Sequence, residues 1–285
     1  MNKIQKRLLI LVSILTVISL TINITLLLSF YVTPDKLTIN SYTLKSELIP
    51  ASLDEVTIVY FTDLQYGEFQ NDERCDQLFS EIENLNPDIL LFGGDLYDKS
   101  YAFTDDTNNK LTQYLSNIDA PLGKFALYGE NDIASETYQN AINSIFSKSE
   151  FEIIRNSSVK ITNQKNEYIN LFGFDIDANV ENINKLSSKT SFDILLTHYP
   201  DHLVKDDLMD ENIDFAIAGH SHDSQITFPL YGSYKEVKGS KKMNRNNRQK
   251  LSFEYILSSG VGCTGINARL GSTPEILYII LKSDK

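Results

Sequence analysis

Two of the chain's four histidines stand two residues apart in Gly219-His220-Ser221-His222. The segment follows Phe215-Ala216-Ile217-Ala218, a short apolar run that reads as a buried strand. Imidazole is the commonest neutral metal ligand, and a tight loop beyond a strand can turn both rings toward one point. Taken alone, His-x-His also fits two surface histidines on a loop. Other blocks share its setting: Asp63-x-Gln65-x-Gly67, Gly94-Asp95-x-x-Asp98, Gly129-Glu130-Asn131-Asp132 and Thr197-His198. Each follows an apolar run. Together they offer carboxylate, amide and imidazole donors, and metal ions held by such donors could receive an anionic substrate on an acidic protein.

Donors of this kind need strands whose ends lie side by side. Val56 to Phe61 is β-branched and aromatic and predicts a buried strand before the first block. Glu73 to Leu85 carries Leu78, Ile82 and Leu85 on one helical face. Ile89 to Phe92 predicts the next strand, and Thr107 to Ile118 the next helix. Phe125 to Tyr128 leads into Gly129, and a helix is expected from Ser135 to Ser147. Glu152 to Phe174 is strand-rich, and a short helix is expected from Val180 to Leu186. Phe192 to Leu196 runs toward His198, and further strands are expected at Phe253 to Leu257 and Glu275 to Leu281. Strand–helix alternation in the first half implies right-handed βαβ units, and the strand-rich second half implies a second sheet packed on the first. In such sheets ligands bind at the loops beyond the strands' carboxyl ends.

The chain has 285 residues and a formal net charge of −12. That charge argues against a nucleic-acid partner. Cys75 and Cys263 match no zinc spacing or disulfide framework; they form a single bridge or remain two inert thiols. No residue from Leu8 to Pro34 is charged, and the run is long enough to span a bilayer. Lys3, Lys6 and Arg7 precede it and Asp35 follows, so the positive-inside rule puts the N-terminus in the cytoplasm and everything after Pro34 outside. A cleaved signal peptide would have a shorter apolar region and an Ala-x-Ala-like site, and no such site is visible near Ser29-Phe30-Tyr31-Val32. The organisation expected is an uncleaved single-pass anchor over 1–34, a polar connector over 35–54 with a strand at Leu37 to Leu44, and one domain over 55–285.

The five ordered blocks resemble the calcineurin-like metallophosphoesterase family, whose pattern is Asp-x-His, Gly-Asp-x-x-Asp, Gly-Asn-His-Asp/Glu, a His, and Gly-His-x-His. The resemblance runs from about Val56 to Leu281. Ala268-Arg269-Leu270-Gly271 and Pro274-Glu275-Ile276 also look like the membrane-anchored bacterial branch, near enzymes similar to UDP-2,3-diacylglucosamine hydrolases. The resemblance implies an α/β sandwich of two mixed β-sheets flanked by helices. It implies phosphoester or pyrophosphate hydrolysis by a hydroxide bridging two divalent metal ions, which mixed O/N ligands leave open as manganese, iron or zinc. Asp95 matches the bridging ligand, Asp63 and His222 match ligands of the first metal, and His198 and His220 match ligands of the second.

Three positions depart from the family pattern. Gln65 replaces a ligand histidine and would coordinate weakly through its amide oxygen. Glu130 replaces a ligand asparagine and adds negative charge at the second metal. Asn131 replaces the histidine that contacts phosphate and protonates the leaving group; it can donate a hydrogen bond but cannot act as an acid. Asp98, which pairs with that histidine in relatives, would orient Asn131. The alternative reading is a metal- or phosphate-binding sensor or scaffold without turnover. Arg269 either clamps a phosphate oxygen or forms a surface salt bridge. His202 is a spare ligand or acid, or an exposed residue at a helix start, and Gln225 stabilises its loop. Lys235, Lys238, Lys241, Lys242, Arg245, Arg248 and Lys250 form a basic stretch broken by Glu236 alone. It is either a solvated face or a lip touching anionic headgroups, which would suit a lipid-linked phosphorylated substrate.

Overall fold

A computed structural model of the chain describes residues 1–163, 167–181, 190–205, 208 and 213–285. It begins with α1 (Lys3–Tyr31), whose aliphatic side chains are exposed along its length and which is long and apolar enough to cross a membrane. Its last turn touches the rest of the chain: Ser29 is buried, and its carbonyl accepts the Arg269 N–H at 2.9 Å. The expected connector is not a free tether. It contains β1 (Thr38–Ser46), which pairs in parallel along its whole length with β13 (Glu275–Ser283).

Parallel strands covered on both faces read as unbroken apolar runs. This accounts for β2 (Thr57–Phe61) and β3 (Ile89–Phe92); β4 (Lys124–Ala126) and the edge strand β5 (Phe151–Ile153) follow as successive parallel neighbours, each carrying one charged residue. α2 (Asp72–Asn84), α3 (Asp105–Asn117) and α4 (Glu136–Lys148) make the crossovers. Each opens on a side-chain cap, with Asn71, Thr104 and Ser135 accepting the N–H of Arg74, Thr107 and Tyr138. Those caps occupy donors that a first helical turn leaves unpaired. β13 joins β2 antiparallel, so the six-stranded sheet runs β1-β13-β2-β3-β4-β5.

The second sheet contains β6 (Ser157–Thr162), β7 (Tyr168–Phe174), β8 (Asp193–Thr197), β9 (Phe215–Ala218) and β12 (Glu254–Leu257), in the order β12-β9-β8-β7-β6. Only β6 runs antiparallel to its neighbour. A small hairpin, β10 (Thr227–Phe228) and β11 (Gly232–Ser233), follows the His220–His222 loop. The helix expected over Val180 to Leu186 lies, from residue 182 on, outside the described residues.

The period of two along each strand sorts side chains into layers. Ile58, Tyr60, Ile89 and Leu91 face Leu171, Ile194, Leu196 and Ile217 between the sheets. Val59, Phe61, Leu90 and Phe92 face Leu78, Ile82, Leu111 and Ile145 of the helices. Each such side chain contributes about 1.5–3 kcal/mol of burial. Because β2, β3, β4, β8 and β9 are held rigidly, their carboxyl ends form one fixed rim. Cys75 and Cys263 are both buried free thiols, so no bridge joins them.

Candidate metal centre

Every candidate ligand stands on that rim. Asp63 and Gln65 follow β2, Asp95 follows β3, Glu130 and Asn131 follow β4, His198 follows β8, and His220 and His222 follow β9. Asp63, Gln65, Asp95, His220 and His222 adopt left-handed backbone, with φ of 55°, 51°, 61°, 61° and 48°. Such a conformation costs a non-glycine residue about 1–3 kcal/mol and persists only where its surroundings impose it. Here it turns each side chain back over its own strand end. Gly129 leaves the room: a Cβ there would lie 2.0 Å from Asp95 Oδ1.

Asp63, Asp95, His198 and His220 each offer one ligand atom within 4.8 Å of the others, and all four are buried. Backbone carbonyls fix the rings. His198 Nδ1 donates to Gly93 at 2.7 Å, His220 Nε2 to Lys238 at 2.6 Å, and His222 Nδ1 to Gly262 at 3.2 Å. In each ring the remaining nitrogen therefore points its lone pair inward, the arrangement found behind metal-bound histidines. His198 Nε2 and His220 Nδ1 meet Glu130 Oε2 at 3.0 and 3.1 Å. His222 Nε2 lies 3.5 Å from Asp63 Oδ1.

Two electron-rich atoms at such distances need a cation or a proton between them. Burial depresses the His198 pKa, but Asp95, the Glu130 hydrogen bond and Asp63 raise it well above the ordinary value, so a proton can serve there. Burial would raise the Glu130 pKa, but its bonds to His198 and His220 hold it well below the usual range. His222 differs. Burial pulls its pKa down to about 4, and the opposing charge of Asp63 does not restore it. At neutral pH its Nε2 is bare, and buried Asp63 Oδ1 has no hydrogen-bond partner. Asp63 Oδ2 is already taken by the Thr62 hydroxyl at 2.9 Å and the His220 N–H at 2.8 Å. A divalent cation fits this donor set, and a purely hydrogen-bonded core does not.

Asp95 sits between the two halves of the cluster. Its Oδ2 accepts from Gln65 Nε2 at 2.7 Å and Asn131 Nδ2 at 2.9 Å, and its Oδ1 accepts the Asn131 N–H at 3.0 Å. Burial first, then Glu130, Asp132 and Asp63, push its pKa well up despite His198 nearby. An added positive charge is what would keep this carboxyl ionised. Gln65 Oε1 accepts from Asn131 Nδ2 at 3.2 Å, so two of the three departures from the family pattern are bonded to each other.

Several expectations are corrected. Asp98 does not orient Asn131: its Oδ1 accepts the N–H of Ser100 at 2.8 Å and the Ser100 hydroxyl. The residue that does brace this corner is Asp132. Buried, it accepts the N–H groups of Asp95 and Gly129 at 2.8 Å and Leu96 at 2.9 Å. It sat in a quoted block, but only its burial reveals the role. Arg269 forms no surface salt bridge and reaches no substrate space. It is 0% exposed, and its guanidinium donates to the carbonyls of Ser259, Gly260 and Gly262. His202 is buried, bonded through Nδ1 to the Thr197 hydroxyl at 2.7 Å, and burial lowers its pKa to about 4. Gln225 does stabilise its loop: its amide donates to the carbonyls of Ile266 and Ala268 and accepts the Thr264 N–H.

A two-sheet α/β sandwich whose strand ends bring acidic and imidazole donors to one buried cluster defines a metal-dependent phosphoester hydrolase. Residues 56–224 match the calcineurin-like phosphoesterase family, and the chain belongs to that family of divalent-metal hydrolases. It is similar to the uncharacterized metallophosphoesterase YkuE of Bacillus subtilis, 27% identical over 89% of this chain and 88% of that one. It is 24% identical to the UDP-2,3-diacylglucosamine pyrophosphatase LpxG of Chlamydia muridarum, over 63% of this chain and 67% of that one. A transmembrane protein with metallophosphoesterase domain from Danio rerio is 24% identical over 83% of this chain and 55% of its own length.

Proposed function

We propose that the protein is a membrane-anchored phosphoesterase that takes two divalent cations and hydrolyses a phosphoester or pyrophosphate bond of a lipid-linked substrate outside the membrane. The observation that carries the metal reading is the bare His222 Nε2 facing unpartnered Asp63 Oδ1 at 3.5 Å. Asp63, His222 and Asp95 would hold one cation, with Gln65 beside them. Asp95, Glu130, His198 and His220 would hold the other. When bound, the cations supply charge neutralisation at the phosphoryl group and a strongly polarised water. The carbonyls of Gly93, Lys238 and Gly262 keep the three rings in the ligand tautomer. Asn131, whose amide hydrogens are bonded to Asp95 and Gln65, would hold those two side chains in place and has no proton to give a leaving group.

The lipid-linked substrate is supported by α1, by the direct contact of its last turn with the domain, and by a relative named for a diacylglucosamine nucleotide. Lys3, Lys6 and Arg7 before the apolar run support a cytoplasmic N-terminus. The test is metal content and turnover of the purified full chain on lipid pyrophosphates, aryl diesters and alkyl monoesters. Asp95→Ala and the milder Asp95→Asn should both lose bound metal together with activity. Full metal content in a folded Asp95→Asn protein would remove Asp95 as the bridge. Metal binding with no turnover on any substrate class would leave a sensor.

A further inference from the structure

Hairpin residues just beyond the His220–His222 loop expose an unusual amount of apolar surface. Leu230 is 111% exposed, Tyr231 81% and Tyr234 65%, with Phe228 partly exposed beside them. Isolated exposed apolar residues need no explanation, but a contiguous tip of this kind marks a contact surface. Backbone hydrogen bonds tie the hairpin to the end of α1. The Arg269 N–H donates to Ser29, the Thr227 N–H donates to Leu270 at 2.8 Å, and the Leu270 N–H donates to Gln225 at 2.9 Å. Leu230 is three residues beyond Thr227, at most about 10 Å of extended chain.

We propose that this hairpin dips into the surface of the bilayer that α1 spans, so that the rim of the metal centre is seated at the headgroup layer. The inference rests on reading α1 as a membrane anchor. The 29 residues of α1 extend about 44 Å, whereas the hydrocarbon core is about 30 Å thick. The charge-free run continues past Ser29 to Pro34, so the carbonyl that the domain holds lies within the apolar part of the chain. A domain bonded there meets the interface at that point, and the strand bonded to Leu270 meets it too. Charge points the same way. Arg245 donates to the Gly271 carbonyl and to Asp223, and Asn246 donates to the Ser233 hydroxyl, so the basic stretch is knitted to the hairpin's base. Arg245 and Arg248 line a cavity of about 410 Å³ with Asp223, Glu275 and Thr33, two residues past the end of α1. Exposed tyrosines at the headgroup level with an exposed leucine reaching below them make an interfacial surface, and Lys and Arg residues at its base add the positive charge that such surfaces carry.

The chain contains no tryptophan, so a single substitution gives one fluorescent reporter. Leu230→Trp, Leu15→Trp and Tyr168→Trp are each made in the full chain and reconstituted into phosphatidylcholine–phosphatidylglycerol vesicles with brominated acyl chains. Tyr168 begins β7, at the end of the second sheet opposite the metal centre. The expected result is about a twofold or greater loss of emission at positions 230 and 15, and none at 168. Quenching at 15 without quenching at 230 would overturn the hairpin proposal and leave the anchor intact. No quenching at either position would sink the anchor reading and this inference with it. In the double variant Leu230→Asp, Tyr231→Asp, turnover of a vesicle-embedded lipid pyrophosphate should fall about tenfold, with turnover of a soluble aryl diester unchanged. An equal fall on both substrates would mean that the hairpin serves the site and not the membrane.

Discussion

Asn131 is the residue on which substrate choice turns. Its amide reaches Asp95 and Gln65 and carries no acidic proton. Substrates whose leaving group needs no protonation, such as pyrophosphates and aryl esters, should therefore react well ahead of alkyl monoesters. General-acid help is worth about two to four orders of magnitude. Asn131→His should raise alkyl-ester turnover more than aryl-ester turnover. The bond between Asn131 and Gln65 means that the single change strands Gln65 Oε1, so the triple change Gln65→His, Glu130→Asn, Asn131→His is the decisive comparison. Wild type that cleaves alkyl monoesters as fast as aryl esters would refute this account of Asn131. The candidate ligands' places on the rim were legible in the sequence because each stands just beyond an apolar strand. Asp98 and Arg269 were not, because their partners depend on how loops fold back. Ser100 captures Asp98 through a turn two residues long, and Arg269 turns inward to carbonyls of its own loop. The left-handed backbone at five of the candidate positions is only faintly signalled by residue type: four are Asp or His, which tolerate it better than most, but none is glycine or asparagine.

Among the elements, the loop from Ser259 to Arg269 matters most to the metal centre without supplying a ligand. Arg269 donates to the Gly262 carbonyl, which also accepts from His222 Nδ1. Arg269 is thus a positioning residue, acting on the metal centre through one carbonyl. Arg269→Lys keeps the charge but loses the planar fork that serves three carbonyls. Metal affinity should drop about tenfold or more, as for other groups that orient a ligand from behind. Isothermal titration with manganese or zinc on the metal-stripped protein would measure this, and unchanged affinity would dismiss the brace. Strands and helices were read correctly from periodicity where they pack on immediate neighbours. β4 ends at Ala126, shorter than expected: the Leu127 N–H still donates to Phe92 at 2.9 Å, and beyond it the chain turns to bring Gly129 beside Asp95. β1 read as a strand inside a connector, but its partner lies at the other end of the chain, where no local pattern can point.

At the scale of the whole molecule, α1 and the phosphoesterase domain meet directly. The charge-free run and the Lys/Arg bias before it predict that protease added to intact cells degrades the domain while the N-terminus stays protected. Complete protection of the domain would reverse the orientation. The partly exposed Arg74–Asp35 pair at 2.6 Å adds little energy, but it sits between α2 and the segment leaving α1. Together with the Ser29 and Thr38 contacts, it limits how far the metal centre can swing from the helix axis.

The pairing of β1 with β13 also sets an order of events during synthesis. Thr38 bonds Pro274, 236 residues away, and the nine-residue ladder that follows cannot close until the last strand has emerged. Contacts this distant form late, after loop-closure entropy has been overcome. A growing or truncated chain therefore carries β1 as an open edge, free to pair with a neighbour. Synthesis of β13 is what closes the ladder on β1, so this nine-residue strand acts as a checkpoint for the first sheet.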